Sequence, residues 1–389
     1  MIKFEYKFPP LLKEEIASSN YINNILKNSG LLFSEVEKYD KNLSLKYSRF
    51  LEMDNILNYI FCNPKDLRKT IRKFYSYHPE LAIFFNPRWI LTSSKFNIDY
   101  TEIIRNRLNS KEEIKRIKLV FINELKKIPS ISDFNFTETL IDKLNKSKST
   151  KEELDQLIRI TRIHQGISKL PSEITKKFPL WPEILKKVFD YESFKKNYSR
   201  MIVDSSGLLI CPYCNKRDIE KTAGNKKFAN PDLDHFYPQG KYPFLATSLY
   251  NLVPSCTFCN QRFKGDTDTF KKYMHPISHG TNNYKAFNFL PTLDENHIIK
   301  IGRCSRFKNN IELFELQSEY AKPSSLREYK DVKNKLDFLK ELGGEELKKT
   351  INSKKKKAII FNIGGDYNLF NTRHYKLRID AFNDFLDKE

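Results

Sequence analysis

The sequence lacks any apolar run long enough to cross a bilayer, and its first residues carry too many charges for a secretory signal peptide. It also contains no internal repeat and no low-complexity tract. We therefore expect a cytoplasmic protein without a membrane partner. Cysteine is scarce as well, with six in 389 residues. A disulfide framework is disfavoured, because such frameworks belong to secreted chains.

Glycine is also scarce, with 12 residues, and helix-start signals recur before residue 200. One is the capping box Thr150-Lys151-Glu152-Glu153, in which a hydroxyl and a carboxylate satisfy each other's free amides. A further helix is expected near Glu183–Tyr198, just before a cysteine-containing segment. We predict a mainly α protein with a small α+β module. Its predicted parts are a helical N-terminal domain over residues 1–200, a central module over 201–300 and a mostly helical C-terminal region over 301–389.

The charge balance is strongly basic, with a formal net charge of +20 and a pI near 9.4. Lysine and arginine contacts to phosphate supply most non-specific affinity for nucleic acid, so this balance favours a polyanionic partner. Coding bias is an alternative explanation, because Lys, Asn and Ile are all abundant. The Lys354–Lys357 run is interpreted as a solvated surface, with phosphate contact as the alternative.

Four of the cysteines are grouped in two pairs. Cys211 and Cys214 form one C-x-x-C, Cys256 and Cys259 form another, and 41 residues separate the pairs. Each pair can give two thiolates to one tetrahedral ion. The spacing predicts a structural zinc that closes a subdomain at its base. A thioredoxin-like redox site needs only one such pair, and four ordinary buried or reducing thiols are the remaining alternative.

Between the cysteine pairs, Asp234 and His235 are neighbours. Hydrolysis of a phosphodiester needs a base to take a proton from water and a divalent ion to stabilise charge on the phosphate. Imidazole titrates near neutral pH, and a carboxylate is a hard oxygen ligand for Mg²⁺ or Mn²⁺. The dipeptide can therefore supply both base and ligand. The alternative is a packing histidine beside a chance aspartate.

This segment resembles the HNH, or ββα-metal, endonuclease family. In that family a C-x-x-C precedes D-H and a proline, then N-L, a second C-x-x-C, and a final H or N with a lysine shortly after. Besides the cysteines and the Asp-His pair, the matching residues are Pro238, Asn251-Leu252, Asn260 and Lys264. The resemblance implies a ββα unit with zinc at its base, built from a hairpin turning near residues 223–226, a strand near 251–254 and a helix near 257–264.

The resemblance also implies a role for each matching residue. His235 would be the general base, and Asn251 would hold the loop that carries it. Asp234 and Asn260 would bind the catalytic Mg²⁺ or Mn²⁺, with His275 as the alternative ligand to Asn260. Backbone contact with nucleic acid is expected from cations near this metal, namely Lys241, Arg262 and Lys264.

The wider pattern from Tyr242 to Ser255 also resembles HNH proteins of bacterial antiphage systems of the Septu type, which work beside an ATPase. Together these resemblances imply a metal-dependent endonuclease in antiphage defence, with DNA favoured over RNA as substrate. One alternative is a nuclease subunit or docking protein of an ATPase-containing defence complex that acts on RNA. Another is a non-catalytic, zinc-stapled module that binds nucleic acid. His374 is noted from the same resemblance, without a role.

Overall fold

The computed structural model describes residues 1–5, 8–93, 111–128, 136–176, 178–219, 222–223, 228–229, 231–270, 272–291, 297–302 and 305–387. In these ranges the protein is mainly helical, and its strands are short and pair in antiparallel twos. The prediction of a mainly α protein with a small α+β part is confirmed at this level. Among the described helices, none combines the length and the apolar character that a membrane crossing requires.

The helices before the cysteine-containing segment each bury one apolar side in a shared core. The cap of the helix at Thr150 lies one residue before the predicted box, because Ser149 Oγ accepts from the Glu152 backbone N–H at 3.2 Å. These helices are α1 Pro10–Ala17, α2 Asn20–Tyr39, α3 Lys41–Phe50, α4 Met53–Ile60, α5 Leu67–Tyr77, α6 Pro79–Phe85, α7 Pro87–Ser93, α8 Lys111–Lys126, α9 Phe136–Lys146, α10 Thr150–His164, α11 Ser172–Thr175, α12 Trp181–Val188 and α13 Tyr191–Ser206.

The prediction of one helix near Glu183–Tyr198 is wrong, because two non-helical residues separate α12 from α13. The Asp190 carboxylate accepts from the backbone N–H groups of Glu192 and Ser193 at 3.1 and 3.3 Å, and this N-cap starts the new helix. As a result Tyr191 is the first residue of α13 and faces the central module.

The central module contains two strand pairs. Strand β1 Thr222–Ala223 pairs with β2 Phe228–Ala229; of the turn predicted near residues 223–226, Ala223 ends β1 and the other residues lie outside the described ranges. Strand β3 Asp232–His235 pairs with β4 Leu252–Ser255, with His235 opposite Leu252. A π-helix then covers Phe258–Lys264, where the Gly265 N–H donates to the Asn260 carbonyl at 2.8 Å, five residues back.

Two hydrophobic cores organise the chain. The first runs through the N-terminal helices into the central module, where the Phe244 ring stacks on Phe74 with centroids 3.7 Å apart. The second joins a hairpin to the C-terminal helices, with Phe289 stacked on Tyr329 at 4.4 Å. The domain boundaries at residues 200 and 300 stay a prediction. The elements after the module are β5 Phe287–Pro291, β6 His297–Ile301, α14 Lys308–Leu313, α15 Leu316–Tyr320, α16 Pro323–Glu341, α17 Gly344–Asn352, α18 Lys354–Phe361 and α19 Tyr375–Leu386.

Candidate functional site

The four paired cysteines meet in one buried cluster. The Sγ atoms of Cys211, Cys214, Cys256 and Cys259 all lie within 4.8 Å of one another. Four thiolates around a tetrahedral zinc, each with a Zn–S bond of about 2.3 Å, are separated by about 3.8 Å. The donor set and the spacing therefore fit a metal ion such as zinc, as the two C-x-x-C pairs predict.

The C-terminal region holds the first cysteine pair in place. Asn215 has a left-handed backbone (φ 50°), and its N–H donates to the Cys211 carbonyl at 2.8 Å. The Asn215 carbonyl accepts from the backbone N–H of His374, also at 2.8 Å. The Tyr320 hydroxyl donates to the Cys214 carbonyl at 2.6 Å. His374 thus contributes its backbone to this anchor, and its imidazole is buried.

His235 is held by one strong contact at each side of its ring. Its Nε2 lies 2.8 Å from the Ala246 carbonyl, which can only accept, so Nε2 carries the proton and Nδ1 keeps a lone pair. Nδ1 has no hydrogen-bond partner among the described residues. It is also not one of the fully buried side-chain N and O atoms there that lack a partner. The Tyr191 ring meets the imidazole edge-on, with centroids 4.3 Å apart. Burial lowers the pKa of His235 to about 4, so the ring is neutral at pH 7.

Asn251 closes the loop that follows His235. Its side chain accepts from the Tyr237 N–H at 2.8 Å and donates to the carbonyls of Tyr237 and Leu245 at 3.0 and 3.1 Å. The side chain has no exposed surface, so water cannot reach its amide and these three bonds satisfy it instead. Because the loop ends beside Ala246, Asn251 fixes the carbonyl that orients the imidazole.

Asp234 is buried and fully engaged with protein donors. Its Oδ1 lies 2.8 Å from Lys264 Nζ, and its Oδ2 accepts from the Tyr213 hydroxyl at 2.6 Å. Burial raises the pKa of Tyr213 well above its usual value, so the phenol keeps its proton and donates. The Lys264 ammonium also donates to the His235 carbonyl at 2.7 Å. A lysine therefore neutralises the carboxylate that the resemblance assigns to a divalent ion.

Asn260 lies beside a different carboxylate. Its Nδ2 donates to Asp232 Oδ2 at 3.2 Å, and Gln261 donates to the same oxygen at 3.0 Å. Within the described ranges, the cysteines are the one group of three or more His, Cys, Asp or Glu side chains close enough to share a metal. As arranged, Asp234 and Asn260 do not fit a shared Mg²⁺ or Mn²⁺.

The remaining residues predicted from the sequence differ in how far they are exposed to solvent. Lys264 is buried, which differs from the nucleic-acid surface expected for it, whereas Arg262 is exposed. Lys241 Nζ donates to the carbonyls of Asp266 and Gly166 at 2.9 and 3.3 Å. His275 is buried against the Phe236 ring with centroids 4.3 Å apart and belongs to no described group that could hold a metal, so the arrangement does not fit its predicted role as the alternative ligand to Asn260. In the Lys354–Lys357 run, which opens α18, the first two lysines are exposed.

The burial of His275 predicts acid sensitivity. Burial lowers the pKa of His275 to about 3, whereas an unfolded histidine titrates near 6.5. Below pH 6.5 the unfolded chain therefore binds the proton first, and native stability falls as the pH drops toward 3. At about 1.4 kcal/mol per pH unit, the loss from this residue is about 3 kcal/mol at pH 4. Denaturant unfolding from pH 7 to 4 checks this, with His275→Gln as the comparison. An equal loss in parent and variant would contradict it.

No protein-family model, curated protein or solved structure matches this chain.

Two residues at the site were not anticipated from the sequence. Tyr213 lies inside the first C-x-x-C, and its position there could have marked it as a neighbour of the module's strands. Tyr191 lies 44 positions before His235 in the sequence. The one local signal is Asp190, which is a good N-cap and therefore a marker for a helix that starts at Tyr191.

Proposed function

We propose that this chain is an HNH-type endonuclease that hydrolyses phosphodiester bonds in nucleic acid, with His235 as the general base. One observation carries the proposal: the imidazole has its Nε2 fixed on the Ala246 carbonyl, while Nδ1 has no partner among the described residues. The loop closed by Asn251 holds the region of the Ala246 carbonyl that this ring binds, and the four clustered cysteines flank the same segment in the sequence.

In the proposed reaction, His235 Nδ1 takes a proton from water while the water oxygen attacks phosphorus. The new P–O bond forms as the bond to the leaving oxygen breaks, and solvent supplies the proton that the leaving oxygen needs. A pKa near 4 keeps the imidazole in its basic form at neutral pH, although it also makes the base weaker. Orientation by Ala246 and Tyr191 then contributes by holding the base at one angle.

DNA is the favoured substrate, with RNA as the alternative, and both suit the net charge of +20. The described site residues carry donors for phosphate rather than an array for reading bases, so we propose no sequence preference. A role in antiphage defence beside an ATPase remains a proposal from the resemblance to Septu-type proteins.

The metal requirement has its own test. The resemblance predicts that cleavage of a supercoiled plasmid stops in a chelator too weak to remove the structural zinc and returns with Mg²⁺ or Mn²⁺. In this structure Lys264 must leave Asp234 before a divalent ion can bind there. Full cleavage in chelator, at unchanged zinc content, would contradict metal dependence and leave Lys264 as the permanent counter-ion of Asp234.

A second candidate is a non-catalytic module that binds nucleic acid. The observation in its favour is the same ion pair, because an Asp234 whose oxygens are taken by Lys264 and Tyr213 suits a structural role. The two candidates differ in a simple assay. The non-catalytic module binds labelled plasmid, linear duplex, single strands or transfer RNA without cutting any of them, with or without added metal.

A further inference from the structure

Helix α13 brings an aromatic ring onto the candidate base. Tyr191 is half-buried, and its ring packs edge-on against the His235 imidazole at 4.3 Å and 71°. Burial raises the pKa of Tyr191, and the nearby charges of Glu192, Asp232 and Asp234 add to the rise. Tyr191 is therefore in direct contact with the candidate base.

One turn further along α13, Lys195 is exposed. Its ammonium lies 6.0 Å from the Tyr191 ring centroid, and in the described part of the chain it forms no salt bridge. The charges of Lys264 and Lys195 both add to the lowering of the His235 pKa that burial causes. Lys264 is buried against Asp234, so Lys195 is the one of the two that a polyanion can reach.

We propose that Tyr191 and Lys195 form the substrate-facing wall of the His235 site. Tyr191 is a positioning residue that holds the imidazole, and Lys195 binds a phosphate of the strand being cut. This inference rests on the proposed nuclease function and adds a contribution from the N-terminal helices, which the module itself does not contain. It also supplies an exposed cation for the phosphate, whereas Lys264 is buried against Asp234.

The test for Lys195 uses its neighbour as a matched control. Lys196 is also exposed on α13 but points about 100° away around the helix. Binding of fluorescein-labelled duplex and single-stranded oligonucleotides is measured by anisotropy in a His235→Gln background, which prevents cutting. We expect Lys195→Glu to raise Kd by about tenfold and Lys196→Glu by less than about threefold. Lys195→Ala should lower the slope of log Kd against log salt by about one.

The test for Tyr191 separates positioning from binding. We expect Tyr191→Ala to lower the single-turnover cleavage rate at saturating substrate by about tenfold or more while Kd stays unchanged. Tyr191→Phe keeps the ring and should recover most of that loss. Tyr198→Ala is the control for lost stability, because Tyr198 is buried in the same helix against Phe194. That variant should melt earlier yet cut at the parent rate while folded.

The outcomes separate this wall from the proposed function. If the parent binds and cuts nucleic acid but Lys195→Glu and Lys196→Glu weaken binding equally, Lys195 acts only as general surface charge. The proposed wall of Tyr191 and Lys195 is then contradicted. The same holds if Tyr191→Phe cuts no better than Tyr191→Ala. If the parent neither binds nor cuts any of the oligonucleotides, the proposed function fails, and the wall fails with it.

Discussion

Removing the metal from the cysteine cluster is expected to unfold the central module. The strands there are two and four residues long and cannot hold the segment together by pairing alone. In zinc-finger peptides the metal site forms only on folding, so the free energy of zinc binding, on the order of 10–16 kcal/mol at pH 7, drives folding. We therefore expect one zinc per chain, and we expect Cys259→Ser to lose it together with several kcal/mol of unfolding free energy.

A second cysteine provides the control for this prediction. Cys62 is also buried, but it lies in the N-terminal helices with its Sγ 3.2 Å from the Thr70 hydroxyl. Cys62→Ser should keep the full zinc content measured by elemental analysis. A Cys259→Ser protein that retains one zinc and melts with the parent would contradict the sulfur-bound metal.

Replacing His235 by Gln should nearly abolish cleavage. The glutamine amide can still donate to the Ala246 carbonyl, so the hydrogen bond that orients the side chain survives while the basic nitrogen is lost. A positioned general base contributes about two to four orders of magnitude to rate, and we expect a loss of that size. The affinity for nucleic acid should change little, because no phosphate contact is assigned to the imidazole.

His275→Gln is the matched control for that substitution. His275 is buried in the same module and packs on Phe236, the residue that follows His235. The variant should cut at a rate close to that of the parent under conditions where both are folded. If both histidine variants lost cleavage equally, the loss would reflect damage to the module rather than removal of a base.

The sequence alone predicts which residues lie together when they belong to the one segment between the two cysteine pairs. Two C-x-x-C pairs flank one segment, and a metal shared by both pairs would require Cys211 and Cys259 to lie together, as they do in the structure. Asn251 follows the same logic, because its partner loop begins 14 residues earlier at Tyr237. Because the cysteine pairs hold both ends of this segment together, few other arrangements are open to its side chains.

Contacts made by packing between distant segments could not be read in the same way. The first C-x-x-C loop is anchored at Asn215 by the backbone of His374, 159 positions later, and Tyr191 reaches His235 from a helix that starts at the Asp190 cap. The burial of Lys264 is unpredictable for a related reason. As a cation near the predicted metal it is expected to contact nucleic acid, whereas the π-helix places its ammonium against Asp234.

We propose that one imidazole, on a module closed by four cysteines, provides the base for cutting nucleic acid. This is tested by single-turnover cleavage of plasmid, linear duplex, single strands and transfer RNA by parent and His235→Gln proteins of equal zinc content, with and without Mg²⁺ or Mn²⁺. We predict that the parent cuts at least one of these and that the variant binds it as tightly but cuts it about 100-fold more slowly or worse. Equal cutting by both proteins, or none by a zinc-loaded parent, would contradict the account.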